Sequence, residues 1–232
     1  MDRVQIGSLE HLIPIVLALI GGAIFIWASR RFLTKKEQYR AVHFLAILIS
    51  LALIAFHLYY IIIGDYNYRT DLPLFLCSFL GLIIPFFTHY RKFWMYEILL
   101  FWIVAGTSQG VITPDISEGF PSLDYFRYWI VHLGLLTVIL YATFVYPMRP
   151  TIKSVFKSIL MFQLYVVIML IVNKMLGSNY SYLNHKPDSA SLLDYFGEWP
   201  YYLLVVQLLL IPIFLLIYLP FFLWKKKKSR VI

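Results

Sequence analysis

The fold class this chain predicts is an all-α membrane bundle of seven transmembrane helices, and three observations predict it. Hydrophobic residues make up 61% of the 232 residues and charged residues 14%, with mean hydropathy +0.75. A water-soluble domain of that composition would expose apolar patches far beyond what soluble monomers carry. The apolar residues also gather into seven runs, each near the ~20 residues that a helix needs to cross ~30 Å of hydrocarbon. Finally, the Lys and Arg residues fall mainly into every second gap, fifteen on one side of the alternation against five on the other. Under the positive-inside rule this places the N-terminus outside and the C-terminus in the cytoplasm of a multi-pass cell-membrane protein.

The first span, about 12–28, sits early enough to resemble a signal peptide, but its basic residues follow the apolar run instead of preceding it, so it reads as retained. Arg30 to Arg40 supply the first cytoplasmic cluster, and the second span covers about 41–63. The third, about 72–88, opens at Pro73, a residue suited to the first turn of a helix. The fourth to seventh cover about 93–113, 125–147, 154–176 and 200–224, the last closed by Lys225 to Lys228 and Arg230. No polar linker or internal repeat divides the chain, which makes residues 1–232 a single integral membrane domain. Residues 177–199 form the longest non-spanning segment. Its Tyr180, Tyr182, Tyr195, Phe196 and Trp199 predict an external loop lying at head-group depth and able to cap a cavity.

Charge and cysteine usage exclude several functions. The juxtamembrane basic clusters suit membrane lipids with anionic head groups, and no groove-reading or aromatic-interleaved element accompanies them, so no nucleic-acid partner is expected. A single cysteine, Cys77, excludes intrachain disulfides. No pair of His or carboxylate residues stands at i, i+4 on a span, so neither a metal nor a cofactor is expected.

The polar residues inside the spans cluster by depth. His57, Cys77 and His132 fall ~8–10 Å beneath the outer boundary at 1.5 Å rise per residue. Thr107, Ser108 and Gln109, Asn173 and Gln207 reach the same half. Such groups are costly in hydrocarbon unless they face the bundle interior, where they serve either function or helix-to-helix hydrogen bonding. His43, His89 and Glu97 lie near the cytoplasmic ends, and His11 and His185 lie outside.

Four stretches carry a family resemblance: LPLFLC from Leu72, GVITPD from Gly110 with Gly119-Phe120-Pro121 after it, YWIVHLG from Tyr128, and NYSYLNHKPDSASLLDYFGEWP from Asn179. Together they resemble bacterial seven-span integral membrane proteins related to transmembrane protein 164, over about residues 70 to 202. The resemblance implies a phospholipid acyltransferase that works through a cysteine acyl-enzyme and a partner histidine, and more distantly a lipid-ester hydrolase that pairs a threonine with a histidine. His132 matches the family histidine. The family cysteine directly follows the Leu-Pro pair, a position held here by Leu74, whereas Cys77 stands three residues further on, and Phe75 occupies a position that is often histidine. Cys77 is therefore read either as the nucleophile or as a packing residue.

Two functions follow as expectations. One is an intramembrane lipid-modifying enzyme acting at the outer leaflet, with Cys77 and His132 catalytic and His57, Gln109, Asp115, Asn173, Asn179 and Gln207 as binding residues. The other is a non-enzymatic binding or transport component that uses the same polar layer as a cavity. Inverted repeats would favour transport, and the chain shows none.

Overall fold

The first helix begins where Ser8 leaves the extended region and its side chain accepts from the His11 amide; α1 then runs Leu9–Phe32. In this computed structural model, which describes residues 3–188 and 190–229, a two-residue turn follows and Thr34 and Glu37 form a capping box that starts α2, Lys35–Ile63. The reciprocal side-chain and backbone bonds of that box satisfy donors that the first helical turn leaves open. Gly64, at φ 78, ends α2 in the left-handed conformation open to glycine. The remaining helices are α3, Leu76–Tyr90; α4, Phe93–Ile112, interrupted by a π-helical turn at Ile103–Thr107; α5, Leu123–Phe144; α6, Ile152–Leu176; and α7, Tyr201–Ser229. Short 3₁₀ turns at Tyr180–Tyr182 and Leu192–Phe196 punctuate the segment between α6 and α7. Arg230 of the terminal basic cluster lies outside the described residues, as do the side chains of Lys226 to Lys228.

The described residues are all-α with seven helices, six of which are long and apolar enough to cross a membrane. The third departs from its expected span. At 15 residues it reaches about 22 Å, short of the ~30 Å hydrocarbon thickness. The helix starts at Leu76 and not at Pro73, and residues 72–75 are irregular. Other side chains satisfy that stretch: the Leu72 amide donates to Tyr180 Oη at 3.0 Å, and the Leu74 carbonyl accepts from Tyr165 Oη at 2.8 Å. Non-helical backbone at membrane depth is tolerated only where protein groups complete its hydrogen bonds in this way.

The core lies on α4 and α5. Phe101, Ile103, Val131, Leu135, Val138 and Ile139 are fully buried there and pack with Ile49 and Leu53 of α2 and Leu80 and Ile84 of α3. The α2–α3 contact is close at Gly81, whose carbonyl accepts from Ser50 Oγ at 2.5 Å. By contrast α1 and α7 turn apolar side chains such as Leu17 and Leu208 outward, the surface that a lipid solvent covers.

Contacts sort the connections to two ends. At one, Tyr39 of α2 bonds the His89 carbonyl, Arg91 stacks over Tyr39, and Arg149 stacks over Trp224. The basic segments of the α1–α2, α3–α4 and α5–α6 connections thus gather together. There, too, the buried Glu97 accepts from Ser154 Oγ at 2.5 Å and pairs with Lys157, joining α4 to α6. At the other end the N-terminal segment, the 64–75 and 113–122 connections and the α6–α7 segment meet.

Candidate functional site

His132 is the best-defined chemical group in the bundle. It is buried on α5, and its Nδ1 lies 2.8 Å from the carbonyl of Tyr128 one turn earlier. A carbonyl only accepts, so Nδ1 carries the hydrogen and, in the neutral ring, Nε2 holds the lone pair. The ring stacks on Tyr128 with centroids 3.9 Å apart. Tyr128 Oη in turn donates to the Gly110 carbonyl at 2.8 Å and accepts from the Asp115 amide at 3.2 Å. The imidazole is therefore held on one edge and one face, and its basic nitrogen abuts α4 at Gly110. A methyl group built there would stand 2.6 Å from Nε2, so the absence of a side chain at Gly110 is what allows the approach.

One turn before Gly110, on the same face of α4, Thr107 closes the π-helical turn and is fully buried. Its Oγ1 is the partner of Cys77, whose Sγ lies 3.9 Å away. A π turn inserts a residue into the helical ladder and re-aims the side chains that follow it, and such turns concentrate at functional sites. Cys77 is the second residue of α3, whose N-cap Phe75 supplies no side-chain cap. The first-turn amides around the thiol therefore lack the partner that Ser, Thr or Asp would provide. Cys77 and His132 thus flank one face of α4 without a hydrogen bond between them.

The α6–α7 segment covers this arrangement. Tyr182 Oη donates to Asp115 Oδ2 at 2.9 Å, and Asp115 also pairs with Arg3 at 2.5 Å, so the N-terminus, the α4–α5 connection and the cap share one carboxylate. Burial, and next the Asp115 carboxylate, push the Tyr182 phenol up, with Tyr128 and Cys77 adding to the effect. Tyr180 is pushed up to about 12, chiefly by burial, while its Oη donates to the Tyr68 carbonyl at 2.7 Å. Both phenols remain neutral donors throughout the physiological range. Ser181 and Tyr182 occupy the left-handed region at φ 60 and 54, a strained conformation for residues with side chains. Tyr165 Oη, 2.6 Å from Ser181 Oγ, helps to hold it.

The other expected binding residues go to different places. Asp115, in the α4–α5 connection, anchors the cap through Tyr182. Asn173 clamps the cap, accepting from the Tyr180 amide at 2.7 Å and donating to its carbonyl at 2.9 Å, a packing role. Asn179 orders its own loop through the amides of Asn184 and His185 at 2.9 and 3.2 Å. Gln207 accepts from Gln163 at 2.8 Å and joins α7 to α6. Gln109 is exposed on α4. His57 is half-buried between Phe56 and Tyr66 in edge-on contacts, and neither ring nitrogen has a hydrogen-bond partner among the described residues. His11, in the first turn of α1, is buried: Nδ1 accepts from the Gly7 amide at 2.9 Å, so Nε2 donates to the Val111 carbonyl at 2.8 Å. Tyr128, a residue the sequence offered for orienting His132 beside Asp124 and Gln109, does lie against it. Gly110 and Tyr165 were not among the expected site residues; Gly110 opens the GVITPD run, and that was the available signal.

The profile of the TMEM164 family matches residues 6–218, so the chain belongs to that family. No curated protein and no solved structure matches it. It is a multi-pass membrane protein of the TMEM164 family, with six candidate spans.

Proposed function

We propose that this protein is an intramembrane acyl-transferring or acyl-ester-hydrolysing enzyme with Cys77 as nucleophile and His132 as base. The observation that carries the reading is the fixed tautomer of His132: Nδ1 donates to Tyr128, which leaves a lone pair on Nε2 against the α4 face that also holds Thr107, the partner of Cys77 on α3. A buried thiol is inert without a base, and a histidine so oriented supplies one. In the reaction Cys77 passes its proton to Nε2 and its sulfur bonds the ester carbonyl carbon. The carbon–oxygen bond then breaks, and the departing alcohol takes the proton back from Nε2. Attack on the thioester by a second alcohol completes transfer, and attack by water completes hydrolysis, with Nε2 again holding the proton in transit. The uncapped amides at the start of α3 are suited to the oxyanion that forms beside Cys77. With the N-terminus outside, the site opens toward the outer leaflet of the cell membrane, and the substrates are membrane lipids.

The test is lipid turnover by purified protein in vesicles, together with labelling by a thiol-directed acyl probe. Cys77→Ser and His132→Ala are both expected to abolish turnover while leaving the fold intact, and the label is expected on Cys77. Retention of activity in Cys77→Ser with its loss in Thr107→Ala would move the nucleophile to Thr107. Wild-type behaviour of both Cys77→Ser and His132→Ala would sink the enzyme reading. In that event the two unpartnered nitrogens of His57 would favour a binding or transport component.

A further inference from the structure

A second feature lies away from His132, between α1 and α5. A groove of about 680 Å³ runs along the two helices, lined by Ala18, Gly22, Ala23 and Trp27 on one side and Leu136 and Leu140 on the other. Its volume falls in the range of a small-ligand site. Small residues on α1 would ordinarily let two helices close completely. Here the helices touch where Gly22 meets Thr137, at 3.4 Å from the place a methyl group would occupy, and part beside that contact. The groove ends at Arg30 and Arg31, which line it and have no hydrogen-bond or ion-pair partner among the described residues. From Ala18 to Arg31 the helix rises about 20 Å, slightly more than the ~15 Å of one leaflet's hydrocarbon.

We infer that this groove binds one anionic glycerophospholipid of the leaflet on the basic side, its acyl chain along Ala18 to Trp27 and its phosphate on Arg30 and Arg31. The charge pattern selects this occupant. A transmembrane helix from a second copy would bury two unpaired guanidinium groups against apolar surface, at a desolvation cost that nothing in the groove offsets. A phosphate in the head-group layer instead gives each guanidinium a planar, bidentate partner. The site is independent of the acyl-enzyme reading, because it shares no residue with Cys77, Thr107 or His132.

The experiment is native mass spectrometry of the full chain released from detergent, titrated with phosphatidylglycerol or phosphatidylcholine of matched chains. Each basic residue near an anionic surface is worth a factor of about five, so the pair favours the anionic lipid about 25-fold for one bound copy. Arg30→Gln with Arg31→Gln is expected to abolish that preference while neutral lipid still binds. Lys92→Gln with Lys153→Gln removes the same charge away from the groove and is expected to keep the preference. Ala23→Trp fills the groove and is expected to remove the bound lipid of either kind. If Ala23→Trp does not accumulate, quenching of Trp27 by bromine-labelled lipids in vesicles, read as the difference between wild type and Trp27→Phe, makes the same distinction. Equal binding of both lipids, a preference that survives in the Arg30 and Arg31 double variant, or a dimer peak that Ala23→Trp abolishes would each overturn the proposal.

Discussion

Replacing Gly110 with alanine tests the central geometry with a single methyl group. The added Cβ would lie 2.6 Å from His132 Nε2, 2.7 Å from Cδ2 and 2.9 Å from Tyr128 Oη. Ordinary contact begins near 3.4 Å, so the imidazole edge must retreat by 0.8 Å to reach it, the difference between 3.4 and 2.6. It has nowhere to go cheaply, because the ring is stacked on Tyr128 and Nδ1 is bonded to the Tyr128 carbonyl. Overpacking of this kind costs about 1–3 kcal/mol of stability. A displacement near 1 Å at a catalytic base costs about 100-fold in rate. The assay is lipid turnover per folded molecule in vesicles, with thermal stability measured in parallel. Gly134→Ala is the control: its Cβ would meet Ile49 at 2.7 Å in the core, so it is expected to lose comparable stability and keep its turnover per folded molecule. Wild-type turnover and stability in Gly110→Ala would show that Nε2 does not sit against α4, and the base assignment would fall with it.

Three further outcomes follow from the structure. Lys157→Met is expected to destabilise the protein by about 3 kcal/mol, because it strands the buried Glu97 carboxylate. Glu97→Gln is expected to cost less, since it leaves Lys157, about half exposed, free to reach water; chemical denaturation of both variants in the same detergent checks the order, and equal losses would contradict it. Asn173→Ala removes both side-chain bonds to the Tyr180 backbone, at about 1–3 kcal/mol for buried groups left unpaired, and faster amide exchange in residues 178–185 is the expected readout. Single cysteines at positions 36 and 118 on a Cys77-free background are expected to label from the cytoplasm and from outside respectively, and the reverse pattern would invert the leaflet assigned to the site.

The amino-acid sequence by itself determined the solvent of this protein and the identity of its helices. Apolar runs of spanning length force helical backbone, because hydrocarbon offers no partner for a free amide. The basic residues between the runs also separate to two ends, as the stacking of Arg91 on Tyr39 and of Arg149 on Trp224 shows for one of them. His132 was legible as well, since a histidine in an apolar run is costly enough to draw notice. What the sequence did not determine was which way each side chain faces. In a soluble helix the apolar stripe reveals the buried face, but here lipid and protein interior are both apolar, so Leu17 and Leu208 on the outside resemble Leu53 and Leu135 on the inside. For the same reason polar depth alone grouped Gln109, Asn173 and Gln207 with His132, although one is exposed and two pin helices or loops. Tertiary contacts decided the rest. Tyr180 and Tyr165 complete the backbone of residues 72–75 and so delay α3 to Leu76, the π turn brings Thr107 to Cys77, and a glycine at 110 admits the imidazole edge. Each of these joins residues far apart in the chain, and neither hydropathy nor local propensity carries that information.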